Sequence, residues 1–178
     1  MTNICSMTGE TLNDISDGVW DDGEWISWNY INEQLYEQEL IKKYPKADLA
    51  LIQIFEDLVI NSINYKQITN RYLPVFGELG EIFAEITFGI KRHKPRTQGS
   101  DGRLDNDFIE IKTISPEKNS KKVSVKRGGN FNKLLIVKIN KDFEFEAGII
   151  ERKNMSKGLG KFATVSWSSV KKKKGCTL

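Results

Sequence analysis

The chain has 178 residues, 39% of them hydrophobic and 29% charged, with a formal net charge of +3. That is the size and balance of one soluble domain, with or without an appendage, able to bury a core without disulfides or metals. Cys5 and Cys176 are its only cysteines and His93 its only histidine, which excludes a disulfide framework, a four-cysteine zinc site, an HExxH zinc hydrolase and any Ser-His-Asp site not built on His93.

Residues 1–24 are polar, with Gly9, Gly18 and Gly23 among acidic residues, and read as a loose lead-in without a basic segment and apolar stretch of the secretory kind. From Ser27, a good N-cap, Trp28, Ile31 and Leu35 recur at helical spacing until Pro45 ends the run. Trp20, Trp25 and Trp28 could together bind a ligand, but their spacing favours the core. A second helix is predicted from Asp48, with Leu51, Ile52, Phe55, Leu58 and Val59 as its buried stripe. Pro74 opens a third, in which Leu79, Ile82, Phe83 and Ile86 share one face and Glu78, Glu81 and Glu85 gather opposite.

After Gly89 the texture changes to strand. Phe108–Ile114 alternates, Val123 and Val125 mark a short strand, residues 133–139 form an apolar run suited to a central strand, residues 143–150 alternate again, and residues 162–167 give a last strand. Lys171 to Lys174 read as a basic tail. The fold class is therefore α+β, helices first and a mixed sheet after. No run approaches the roughly 18 apolar residues that cross a bilayer, so no membrane association is expected and the expected compartment is the cytoplasm.

The modest net charge conceals an asymmetry. Residues 1–90 carry 15 acidic and 5 basic side chains, whereas residues 91–178 carry 9 acidic and 22 basic ones. A half this basic attracts a polyanion such as nucleic acid, unless the two halves simply neutralise each other.

Residues 97–113, TQGSDGRLDNDFIEIKT, carry the chemistry. Alternation puts Glu110 and Lys112 on one strand face with Phe108, and Ile109 and Ile111 on the other. A hairpin would bring Asp101 beside Glu110. Two adjacent carboxylates repel, so keeping both ionised favours a divalent cation, with the Ile111 carbonyl completing an oxygen set suited to Mg²⁺ or Mn²⁺. A lysine on the same face can orient the attacking water and stabilise charge on a phosphate. Asp105 and Asp107 are lesser candidates, because aspartate is an ordinary turn former. Among the helix carboxylates, periodicity does not separate Glu81 from Glu78.

These residues resemble the PD-(D/E)xK, or restriction-endonuclease-like, nuclease superfamily: a helix glutamate (Glu81, within Gly77-Glu78-Leu79-Gly80-Glu81), then Asp101, then Glu110 and Lys112 on the next strand. From about Leu73 to Ile139 the chain is similar to an uncharacterised bacterial and phage group within it, with a GE-x-GE helix, a G-x-D turn and an IK strand. Ser100 departs from the proline of the superfamily's name. The resemblance implies a restriction-endonuclease-like mixed sheet flanked by helices over residues 71–178, with a basic C-terminal tail and an acidic helical extension over residues 1–70. It implies a Mg²⁺-dependent endonuclease acting on DNA, with Asp101 and Glu110 on the metal, Lys112 orienting water and Glu81 assisting.

Lys91, Arg92, Lys94 and Arg96 precede this segment, and Lys118, Lys121, Lys122, Lys126 and Arg127 follow it. Lys126, Arg127 and Asn130, around Gly128-Gly129, are candidate nucleic-acid contacts; a plain hairpin turn is the alternative. His93 reads as a surface or loop residue. Two other functions stay open: a nucleic-acid-binding module on the nuclease fold without turnover, and an interaction protein using the acidic half. A homodimer is compatible with each.

Overall fold

The computed structural model describes residues 3–94 and 97–173; Arg96, Lys174 and Cys176 lie outside them. The chain divides into two compact units, Met1–Pro45 and Lys46–Leu178.

In the first unit β1 (Asn3–Ile4) pairs antiparallel with β2 (Thr11–Leu12), and β3 (Gly18–Asp21) with β4 (Glu24–Ser27). Asp22 and Gly23 join the second pair with φ of 44° and 89°. Positive φ at both central residues suits a two-residue hairpin turn, because its twist matches that of the strands. The expected loose lead-in is thus two small hairpins. α1 (Trp28–Lys43) follows directly, its first turn capped by Ser27 Oγ, which accepts from Tyr30 N at 3.2 Å.

The tryptophans do not form the expected core. Trp20 and Trp28 are 57% and 45% exposed. Trp20 faces Trp25 across the hairpin, edge to face, with centroids 5.4 Å apart. Two of the three sit on paired strands, so helical spacing does not govern them.

The second unit begins with α2 (Leu49–Thr69), capped by Asp48, and α3 (Phe76–Phe88), ended by Gly89 at φ 67°. Then come β5 (Lys91–Arg92), β6 (Gly102–Leu104), β7 (Asp107–Ile114), β8 (Lys122–Lys126), β9 (Lys133–Ile139), β10 (Phe145–Glu151), β11 (Phe162–Ser166) and β12 (Lys171–Lys173). Six of these strands make one mixed sheet, ordered β12-β10-β9-β7-β6-β5, in which only β7 and β9 run parallel. The fold is α+β. The lysine run expected to be a tail contains an edge strand, since β12 pairs through its backbone with Ala147–Ile149.

The sheet is covered on both faces, which is why β9 is apolar and buried from Leu134 to Val137, with lysines only at positions 133 and 138. On one face Phe83 of α3 stacks on Phe145 of β10 at 5.1 Å, and Phe55 of α2 meets both rings at 6.4 and 5.2 Å. These contacts place α2 with the sheet, so the division falls at Pro45 and not at residue 70. On the other face β8 and β11 form an antiparallel ribbon. Its Val123, Val125 and Val165 join Ile114, Leu134, Ile136 and Trp167 in a buried cluster.

Candidate active site

The β6–β7 hairpin builds the site. Gly102 pairs with Ile109, and Asp105, at φ 53°, makes the turn. Just before β6, Asp101 is held by its backbone from both sides: its N–H donates to Ile109 O and its carbonyl accepts from His93 N, each at 2.9 Å. Beyond this point β7 has, among the described residues, no strand partner on that side, and an N–H left open there would lack a bond. The Asp101 carboxylate supplies it: Oδ2 accepts from Ile111 N at 2.6 Å.

Strand alternation then aims Glu110 and Lys112 to one side. Lys112 Nζ lies 2.7 Å from Glu110 Oε1 and 3.7 Å from Asp101 Oδ2, and donates to Ile111 O at 3.0 Å. The structure thus brings together Asp101, Glu110, the Ile111 carbonyl and Lys112.

Glu81 arrives from α3. A Cβ on Gly80 would stand 2.0 Å from Thr113 Oγ1, so only glycine lets this helix lie so close to β7. The three glutamates of the helix then part company. Arg92 binds Glu78 through Nη1 and Glu85 through Nε, each at 2.5 Å, whereas Glu81 is half-buried beside the Asp101–Lys112 pair. Burial pushes the Glu81 carboxyl above its ordinary pKa, aided by the neighbouring Asp101 and Glu78 carboxylates and opposed by Arg92 and Lys112. A cleft of about 380 Å³ opens here, lined by Glu81, Ile111, Lys112, Ser115, Glu117 and Lys118 among others.

Among the described residues no three His, Cys, Asp or Glu side chains stand together as a metal-ligating group. The donor set is two carboxylates and a main-chain carbonyl, and all three oxygens already surround one cationic nitrogen, Lys112 Nζ. Oxygen-only donors gathered about a positive charge fit a hard divalent cation better than a soft one.

Asp107 is engaged elsewhere, 2.5 Å from Lys133 Nζ. Lys126 and Asn130 are exposed, while the Arg127 guanidinium is half-buried and donates to Ser156 O. Gly99, at φ 107°, packs against Asn130 and brings that residue beside the loop leading to Asp101. His93 is half-buried; its Nδ1 lies 3.2 Å from Ser100 O and 3.3 Å from Ser100 Oγ, and its ring meets Phe108 edge-on. Sequence reasoning missed Arg92 as the residue that sorts the helix glutamates. Its signal, a cation soon after an acidic helix face, is too common to have singled it out.

A scan of the chain against protein-family models finds no match, and a search of curated proteins finds none either.

Proposed function

We propose that the second unit is a metal-dependent endonuclease of the PD-(D/E)xK type that hydrolyses DNA phosphodiester bonds. The observation that carries this reading is the convergence of Asp101 Oδ2, Glu110 Oε1 and the Ile111 carbonyl on Lys112 Nζ. Three further features support it: an antiparallel β5-β6-β7 meander continued by parallel β9, a preceding helix that delivers Glu81, and an acid-poor stretch after Lys112.

Asp101, Glu110 and the Ile111 carbonyl would hold Mg²⁺ or Mn²⁺, which supplies acidification of a bound water and neutralisation of phosphate charge. The protein's own groups do the rest. Asp101 fixes the end of the hairpin through Ile111 N, so its carboxylate keeps one orientation. The Lys112 ammonium, on the same strand, donates hydrogen bonds to a phosphate oxygen and stabilises the charge that grows there. Glu81, its proton affinity raised by burial and by Asp101, accepts the proton of the attacking water; as the new phosphorus–oxygen bond forms, the bond to the departing sugar oxygen breaks and that oxygen takes a proton from solvent.

The test is cleavage of supercoiled plasmid and linear duplex by the full chain with Mg²⁺ or Mn²⁺, alongside Lys112→Ala. Nicking or cutting that needs the cation and is lost in the variant supports the proposal. An inactive wild type, or equal activity in the variant, contradicts it, and DNA binding without cleavage assigns the fold to a silent binding module.

A further inference from the structure

We infer that the β8–β11 ribbon is a docking surface for the major groove of duplex DNA. Its two faces differ in kind. Val123, Val125, Ala163 and Val165 point inward and are buried. The outward positions pair as Lys122 with Ser166, Ser124 with Thr164, and Lys126 with Phe162. Lys122, Ser124, Lys126, Thr164 and Phe162 are exposed, with Lys121 and Lys161 exposed at the ribbon's ends.

This face carries no carboxylate, and none of Lys121, Lys122, Lys126 and Lys161 makes an ion pair with a described residue. Lysines on the neighbouring sheet do: Lys133 binds Asp107 and Lys138 binds Glu146. Between Lys112 and Lys141, Glu117 is the only acidic residue. Unpaired cations interleaved with hydroxyls fit a polyanion that offers both phosphates and hydrogen-bonding edges.

Dimensions select the partner. Five residues per strand make a ribbon about 17 Å long with strands about 4.8 Å apart, and a two-stranded ribbon enters the roughly 12 Å wide major groove of B-DNA. The major groove of A-form RNA is too narrow to be read by side chains. A single strand calls for a series of aromatic stacking platforms, and the ribbon's outward face offers only Phe162. The loop from β7 to β8 carries Lys118 at the cleft and Lys121 at the ribbon, so a duplex held here lies along a basic path to Lys112.

The inference shares with the proposed function only the choice of DNA, and its test needs no cleavage. Binding of a fluorescein-labelled 20-bp duplex by the full chain is measured in EDTA by anisotropy from 50 to 200 mM salt. Each phosphate contact contributes about 0.9 to the slope of log affinity against log salt, so Lys122→Gln/Lys126→Gln lowers the slope by about 1.8. Ser124→Glu/Thr164→Glu puts two acids on the face without touching the core and weakens binding more than tenfold. Circular dichroism checks that each variant is folded. A wild type that does not bind, a slope unchanged in the double-lysine variant, or equal affinity for duplex RNA overturns the assignment.

Discussion

Gly80 and Thr113 leave no room between helix and strand: a methyl group on the glycine would meet the threonine hydroxyl at 2.0 Å. The contact sets the distance between α3 and β7, and through it the placement of Glu81 relative to Lys112. Gly80→Ala has to push the helix away, and overpacking of this kind costs about 1–3 kcal/mol. Thermal or denaturant unfolding reads the loss. Removing the threonine's branches in Gly80→Ala/Thr113→Ala recovers part of it, so the double variant is expected to lose less stability than the two single variants summed.

Lys112→Ala and Asp101→Asn separate chemistry from cation binding. Loss of the ammonium removes a donor to the developing charge, and a loss of about 10²–10³ in kcat is expected for one such group. The oxygens of Asp101, Glu110 and Ile111 remain, so Lys112→Ala keeps a Mg²⁺-dependent rise in Tm. Asp101→Asn loses both activity and that rise. Calorimetric scans with and without Mg²⁺ make the comparison.

Much of this site follows from local pattern. The hairpin that joins Asp101 to Glu110 and Lys112 comes from a turn between an aspartate and an alternating strand, the buried face of α3 follows a period of 3.6, and β9 shows as an apolar run. What escaped was set by pairing and tertiary contact. β1 to β4 are two to four residues long, too short to display a period, although Asp22-Gly23 is a hairpin signal. β12 is held by backbone bonds that its lysines do not advertise. Glu78 and Glu81 lie outside the same apolar stripe, and they are told apart by Arg92, which follows the helix and binds one of them.

Arg92 therefore has a structural task with an electrostatic consequence. Arg92→Met removes two partly exposed ion pairs, each worth about 0.2–1 kcal/mol, and removes a positive charge that holds the Glu81 carboxyl down. The expected result is a small, salt-sensitive loss of stability with a further rise in the Glu81 pKa. Carboxyl titration by NMR measures the second effect, and an unchanged titration would disconnect Arg92 from Glu81.

Glu81 gives stability a pH signature in metal-free buffer. Its carboxyl binds a proton more tightly in the folded state than in the unfolded one, so its contribution is fully present below the unfolded pKa of about 4.3 and is lost as pH rises through the folded value. Glu81→Gln escapes that loss. Its Tm, compared with wild type, should rise relative to wild type between pH 4 and pH 8 in EDTA. A constant difference would show that Glu81 ionises without penalty.

Anomalous diffraction from a crystal soaked in Mn²⁺ decides whether these oxygens hold a divalent ion. The expected result is a single strong peak between the Asp101 and Glu110 carboxylates, near the Ile111 carbonyl, with the Lys112 ammonium displaced toward the cleft. An empty pocket at a Mn²⁺ concentration that supports cleavage, or a peak elsewhere with Lys112 still bonded to Glu110, would contradict it.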